Sequence, residues 1–367
     1  MGEHMKKICS ILLCVALLCT SLIVPAQANR ASDIAVITAA ITSAVESYNR
    51  RHGGVGELRF DYLIEGDRLT GTISGMVTDA MREFYLPIPY PDTQTTIIWN
   101  ARLNGSTQPG QALLRSHGQF VVSQSGEVIN HAPNGSAIES HEVIVHGFVR
   151  AAQAITAQLV TVTGGGMVQG NITAANEVTL FGSGTATQGN IITTRLNVRD
   201  GASLHAPLVQ AAWVEVLGTS NVLVDNASGL QHAIVTLANT AQTNIIATAN
   251  NYILRRGNLW EVMGEVVFNG QLEIDAGHTL WIGPDDSLTV DGLELLGGIL
   301  VIDGELNLPS TFNFERWQGY VTGTNAGDLA GHWPRVSCCE DSWYNQVPNW
   351  LHWILRWIAF GWLWMCC

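Results

Sequence analysis

The 367-residue sequence predicts a mainly β protein. Its centre is a single-stranded parallel β-helix of ~18 residues per rung, with a small N-terminal α/β unit before it and a C-terminal Trp-rich helix after it. Three observations carry this reading. Short apolar strands recur at a near-constant interval, each is closed by a glycine, and only 13% of the residues are charged. Stacked rungs bring equivalent positions about 4.8 Å apart, where like charges repel, so a stacked coil needs a low density of charge.

The repeat is clearest in the middle of the chain. EVIVHG, VTVTGG, VTLFGS, LNVRDG and VEVLGT end at or just after Gly147, Gly164, Gly182, Gly201 and Gly218, at intervals of 17, 18, 19 and 17. Such an interval is too short for a βαβ unit and too regular for a sandwich with coincidental spacing. Alternate residues of a strand point inward. Val160 and Val162, Val178 and Leu180, Leu196 and Val198, and Val214 and Val216 are therefore expected to form an apolar column, leaving Thr161, Thr179, Asn197 and Glu215 to solvent. The glycines mark corners that require positive φ or close backbone approach. A second array, residues 266–308, repeats L-x-I or L-x-V at Leu272, Leu280, Leu288 and Leu300. With the less regular β-rich stretch 225–265 between them, the arrays read as one solenoid over 116–309, of about ten or eleven rungs.

Residues 29–115 form the N-terminal unit. Asp33 to Arg51 has helical periodicity, with Ile34, Ile37, Ile41 and Val45 on one face and a stop at His52-Gly53-Gly54. Strand alternation follows, and Phe60, Tyr62, Phe84 and Tyr85 are expected in the core of that unit. Residues 310–342 read as a linker.

The first 28 residues read as an export signal: Lys6 and Lys7, the apolar run Ile8 to Val24, and a cleavage site at Pro25-Ala26-Gln27-Ala28. A retained anchor is the alternative. Removing Lys6, Lys7 and Glu3 from 18 basic and 31 acidic residues leaves 16 against 30, a formal net charge of −14. Phosphate backbones repel such a surface, which sets nucleic acid aside as a partner. Cysteines are absent between Asn29 and Ser337. The four beyond, Cys338, Cys339, Cys366 and Cys367, bracket the tail and are disulfide candidates; two adjacent pairs lack the C-x-x-C spacing that suits zinc.

Within residues 140–225, VQGNITAANEVTLFGSGTATQGNIITTRLNVRDGASLHAPL resembles the bactofilins, polymer-forming bacterial cytoskeletal proteins, in its G-N-I corners, V-T-L strands and D-G-A-S-L step. The resemblance implies a right-handed short-rung β-helix capable of end-to-end self-association. An export signal, an N-terminal folded unit and a Trp-rich tail depart from that family's pattern. Residues 266–308 look more like the β-helical repeats of secreted bacterial surface proteins.

Chemistry is sparse. Gly283-Pro284-Asp285-Asp286 superficially resembles the paired aspartates of polygalacturonase-like hydrolases, but it lacks G-H-G and R-x-K companions, and Pro-Asp-Asp is ordinary turn sequence. His205, His232 and His278 stand isolated and read as solvated loop residues. No catalytic residue, cofactor or metal is assigned. The tail, 343–367, places Asn345, Asn349, His352 and Arg356 on one stripe of a helix that is otherwise apolar. Trp favours the headgroup boundary, so Trp350, Trp353, Leu355, Trp357, Ile358, Phe360, Trp362 and Trp364 are the expected membrane or partner contacts of an interfacial helix. The alternative packs the tail on the solenoid as an end cap. Together these features describe an exported, non-catalytic scaffold or adhesin at a cell surface or membrane. Its cell-wall or glycan partner is unnamed by the sequence; a bactofilin-type polymer former and a secreted carbohydrate-active enzyme are the competing readings.

Overall fold

The computed structural model describes residues 32–88, 94–245, 249–312 and 317–326. The expected export signal, the Trp-rich tail and all seven cysteines lie outside these residues. The molecule is mainly β, a parallel β-solenoid of about eleven turns.

A helix, α1 (residues 32–49), is followed by an antiparallel hairpin of β1 (Val55–Glu65) and β2 (Arg68–Ala80). The coil then runs through β3 (Phe84–Leu86), β4 (Thr95–Gly105), β5 (Ala112–Ser116), β6 (Gln119–Val122), β7 (Glu127–Asn130), β8 (Ser136–Glu139) and β9 (Glu142–Val145). Then come β10 (Phe148–Val162), β11 (Met167–Phe181), β12 (Thr185–Thr187), β13 (Ile191–Arg199) and β14 (Ser203–Gln210), of which all but the short β12 are long enough to bend around a corner. Next come β15 (Trp213–Val216), β16 (Asn221–Asn226), β17 (Ile234–Leu237), β18 (Gln242–Thr243) and β19 (Tyr252–Arg256). The remainder is β20 (Leu259–Met263), β21 (Glu265–Asp275), β22 (Thr279–Ile282), β23 (Ser287–Leu296), β24 (Ile299–Ile302), β25 (Glu305–Asn307) and β26 (Tyr320–Thr322).

Each turn has three sides, as in β7, β8 and β9. One side stacks β2, β4, β6 and β9, continuing through the C-terminal parts of β10, β11 and β13 to β15, β17 and β19. The expected column is present: Val160, Val178, Leu196 and Val214 lie opposite one another in successive turns, and with Val162, Leu180, Val198 and Val216 they are buried. Four of the five predicted corner glycines, Gly164, Gly182, Gly201 and Gly218, have φ between 60° and 89°. Gly147 serves by close approach instead, since a Cβ there would meet the carbonyl oxygens of Ser123 and Gly126. Thr179, expected in solvent, is buried because its neighbours close over it. It donates to Glu177 Oε1 (2.7 Å) and accepts from Asn197 Nδ2 (3.3 Å).

Three boundaries differ from the sequence reading. The parallel ladder begins at β2 and not near residue 116, so residues 68–115 already belong to the coil. There α1 buries Ile34, Ile37, Ile41 and Val45, and an aromatic chain fills the coil end: Tyr48 on Phe84 at 4.8 Å, then Trp99 and Phe120 at 5.9 Å steps. Phe84 is core as expected, whereas Tyr85 faces outward on β3, and Tyr62 is exposed because no described element covers β1 beyond it. At the other end, β26 still pairs with β24 inside the expected linker, and Trp317 donates from Nε1 to Leu293 O at 2.6 Å.

The third difference lies in the stretch 225–265. β19 and β20 form an antiparallel hairpin, after which β22, β24 and β26 stack in parallel on β20. Strand direction therefore reverses, and the inner face changes too. Val235, Tyr252 and Leu254 point into the first core, while Ile234 and Ile253 point to the other side, where they join Trp260, Val262, Leu280, Ile282, Leu300 and Ile302 in a second core. The one expected solenoid is two coils sharing a sheet. In the second coil the L-x-I triplets occupy different sides: Leu280 pairs with Leu300, Leu272 with Leu293, and Leu288 with Val266 and Leu306.

Candidate functional site

The most elaborate polar arrangement lies at one corner of the first coil. β5 ends in Arg115-Ser116 and is followed by His117; one turn on, β8 ends in Glu139 and is followed by Ser140-His141. The ladder places Arg115 opposite Glu139, and Glu139 opposite Thr156 in the next turn. Corner residues outside the strand pairs are thereby stacked too, and the three tripeptides 115–117, 139–141 and 156–158 line a groove of about 440 Å³.

Arg115 organises this corner. Its Nη2 lies 2.7 Å from Glu139 Oε2 and 3.4 Å from Glu83 Oε2, so one guanidinium bridges two half-buried carboxylates. Burial raises the Glu83 pKa, Arg115 lowers it, and the negative Glu139 raises it again. Tyr85, opposite Arg115 on β3, meets the His117 ring edge-on at 5.8 Å. Ser140 Oγ donates to Gly118 O at 2.8 Å, which ties the corner to the turn below. With carboxylates as acceptors, a guanidinium and hydroxyls as donors, and an aromatic rim, the groove suits a polyhydroxylated ligand better than a phosphate, since Arg115 is already matched by two carboxylates.

A second cleft, about 550 Å³, is walled by the Pro-Asp-Asp aspartates Asp285 and Asp286, together with Glu265 and Glu305. Asp286 is engaged in the fold. Its Oδ1 accepts the Gly264 N–H at 2.6 Å, fastening the 283–286 turn to the turn below. Neighbouring Asp303 is likewise structural, accepting from Trp281 Nε1 (3.1 Å) and from Thr324 N and Oγ1 (2.9 and 3.0 Å).

The three histidines stay apart, and none is simply a solvated loop residue, since His205 lies on strand β14. His205 is exposed, with Nε2 3.5 Å from Asp225. His232, at φ 65°, accepts the Val267 N–H on Nδ1 at 3.0 Å and so pins the second coil to the first. His278 faces Arg255 Nη2 at 3.5 Å, with its Nδ1 buried. Among the described residues no group of three His, Cys, Asp or Glu is placed to hold a metal ion, and no helix is long and apolar enough to cross a membrane. The assigned tail residues, Trp350 to Trp364, and the four candidate disulfide cysteines lie outside the described residues.

Sequence reasoning missed the corner groove. The signal was the repeated Ser-His at 116–117 and 140–141, whose separation of 24 (140 − 116) did not fit an interval near 18. No family model, curated protein or solved structure matches the chain.

Proposed function

We propose that this chain is an exported, non-catalytic bacterial scaffold or adhesin. In this reading residues 1–28 direct export, the coil is right-handed with ~18 residues per rung in its regular part, and residues 343–367 form a helix in the membrane interface. The supporting observation is the strand ladder unbroken from β2 to β26, over about eleven turns and two packed cores. Such a body holds its length, because every turn is hydrogen-bonded to the next, and it can present the Arg115 corner at a distance from its tether. Polysaccharide or another polyhydroxylated surface is the ligand class that this corner fits.

Liposome flotation tests the reading. The chain from residue 29 onward should float, and truncation after Ser342 should leave a soluble β-rich body. A truncated chain that aggregates, together with an intact chain that ignores lipid, would favour an end cap and sink the membrane assignment. The bactofilin-type alternative draws support from the evenly stepped columns between Val160 and Val216. Electron microscopy separates it, since filaments formed without nucleotide favour polymerisation and isolated rods oppose it.

A further inference from the structure

Among the described residues β1 has one strand partner, β2, so its other edge closes the sheet. The end of α1 and the turn after it occupy only half of that edge. Asn49 donates from Nδ2 to Leu58 O at 2.8 Å and accepts the Leu58 N–H on Oδ1 at 2.9 Å, and His52 Nε2 lies 3.2 Å from Gly56 O. Backbone groups alternate sides along a strand, so those of Gly56, Leu58, Phe60, Tyr62 and Ile64 all point away from β2. Past Leu58 no described strand receives them. The side chains past Phe60 are uncovered as well. Phe60, Tyr62 and Ile64 lie opposite Ile73, Gly71 and Leu69, which are buried, yet Tyr62 is 54% and Ile64 47% exposed. Gly71 leaves room for the Phe60 ring, which a Cβ there would meet at 2.6 Å, and Tyr62 stacks on that ring at 5.8 Å.

We infer that this half-edge is covered by the same half-edge of a second copy, joined antiparallel about a two-fold axis through Tyr62. The inference stands apart from the surface-scaffold reading, because it uses only β1 and α1. In this register Phe60 faces the second copy's Ile64 and Tyr62 faces Tyr62, so the half-buried Phe60 and the exposed Tyr62 and Ile64 all find apolar partners. On the outer side Arg59 faces the second copy's Glu65, twice by symmetry, and Asp61 faces Leu63. Neighbouring registers are excluded by charge. One step back puts Asp61 opposite Asp61, and one step forward puts Asp61 opposite Glu65, both like-charge pairs. Centring on Phe60 would need the Leu58 backbone groups that Asn49 holds. The contact uses the same patch on both copies and therefore closes as a dimer, not as a filament.

Sedimentation equilibrium of the full chain, in a non-ionic detergent that occupies apolar surface elsewhere, tests this. The wild-type chain should be dimeric. Arg59→Glu and Glu65→Arg should each weaken the dimer about tenfold or more, since each creates two like-charge pairs, and the double variant should restore it. Tyr62→Pro removes an N–H that points away from β2 and should abolish the dimer. Arg59 and Glu65 are exposed, so folding is not at stake in the reversals. A monomer at every concentration, an association that the single reversals leave unchanged, or a double variant that stays weak would overturn the inference.

Discussion

The two coils are the same architecture at two sizes. In the regular part of the first, successive inward positions step by 18 residues (178 − 160), and the column is mainly valine. In the second, Trp260, Leu280 and Leu300 step by 20 (280 − 260), and the column is mainly leucine and isoleucine, with Trp260 at its start. A longer turn encloses a wider interior, and larger side chains are needed to fill it to close-packed density. The joint between them follows from geometry. At the β19–β20 hairpin the strands reverse direction and the inner face changes side, while stacking advances in one direction. Reversing both the strand direction and the outward normal leaves the sense of winding unchanged, so both coils keep one hand. A reversal of direction alone would have changed the hand at the joint.

The sharpest way to break this arrangement is at the shared sheet. Ile253 is buried in the second core while its neighbours Tyr252 and Leu254 are buried in the first. Ile253→Asp should cost on the order of 4 kcal/mol or more, because an unpaired charge enters an apolar interior. Hydrogen exchange read segment by segment should show protection lost on both sides of the hairpin. Loss confined to residues after 259 would mean that the coils are energetically separate.

A smaller effect sharpens the difference in size. Val198→Leu adds volume to the narrow column and should cost about 1–3 kcal/mol through overpacking. Ile302→Val removes one methylene from the wide column and should cost about 0.5–1.5 kcal/mol. Urea denaturation gives both numbers; a Val198→Leu variant as stable as the wild type would undo the account of a narrow column.

The sequence made the first coil legible where its rungs are shortest, because equal steps with glycine corners at Gly164, Gly182, Gly201 and Gly218 expose the period directly. Further toward the N-terminus the period stretches. Ile97 pairs with Phe120 and Phe120 with Val143, steps of 23 (120 − 97 and 143 − 120), so those rungs looked like a separate α/β unit. The hairpin was hidden for another reason. In Ile253-Leu254 and Ile234-Val235 both neighbours are apolar, since the sheet is buried on both faces there, and alternation vanishes where both sides are core. The groove depended on Arg115, Glu83 and Glu139, which come together only once β3, β5 and β8 are stacked.

The smallest expected effect is a pH dependence confined to the first coil. Burial, reinforced by Glu139 and opposed by Arg115, holds the Glu83 carboxyl above its ordinary value of 4.5. Below that value both folded and unfolded chains carry the proton. As the pH rises from there to the raised folded value, the unfolded chain releases the proton while the folded chain still binds it, so this group's contribution to stability falls with rising pH and then levels off. Glu83→Gln keeps a hydrogen-bonding partner for Arg115 but cannot ionise, and it should remove that decline. Denaturation midpoints for wild type and variant, followed upward from pH 4, should diverge as Glu83 ionises, with the variant the more stable at neutral pH. Protection of the second coil should be unmoved throughout, because Glu83 and both its charged partners lie on β5, β8 and the residue before β3. If the wild-type chain instead gains on the variant as the pH rises, the attraction of Arg115 outweighs burial at this corner.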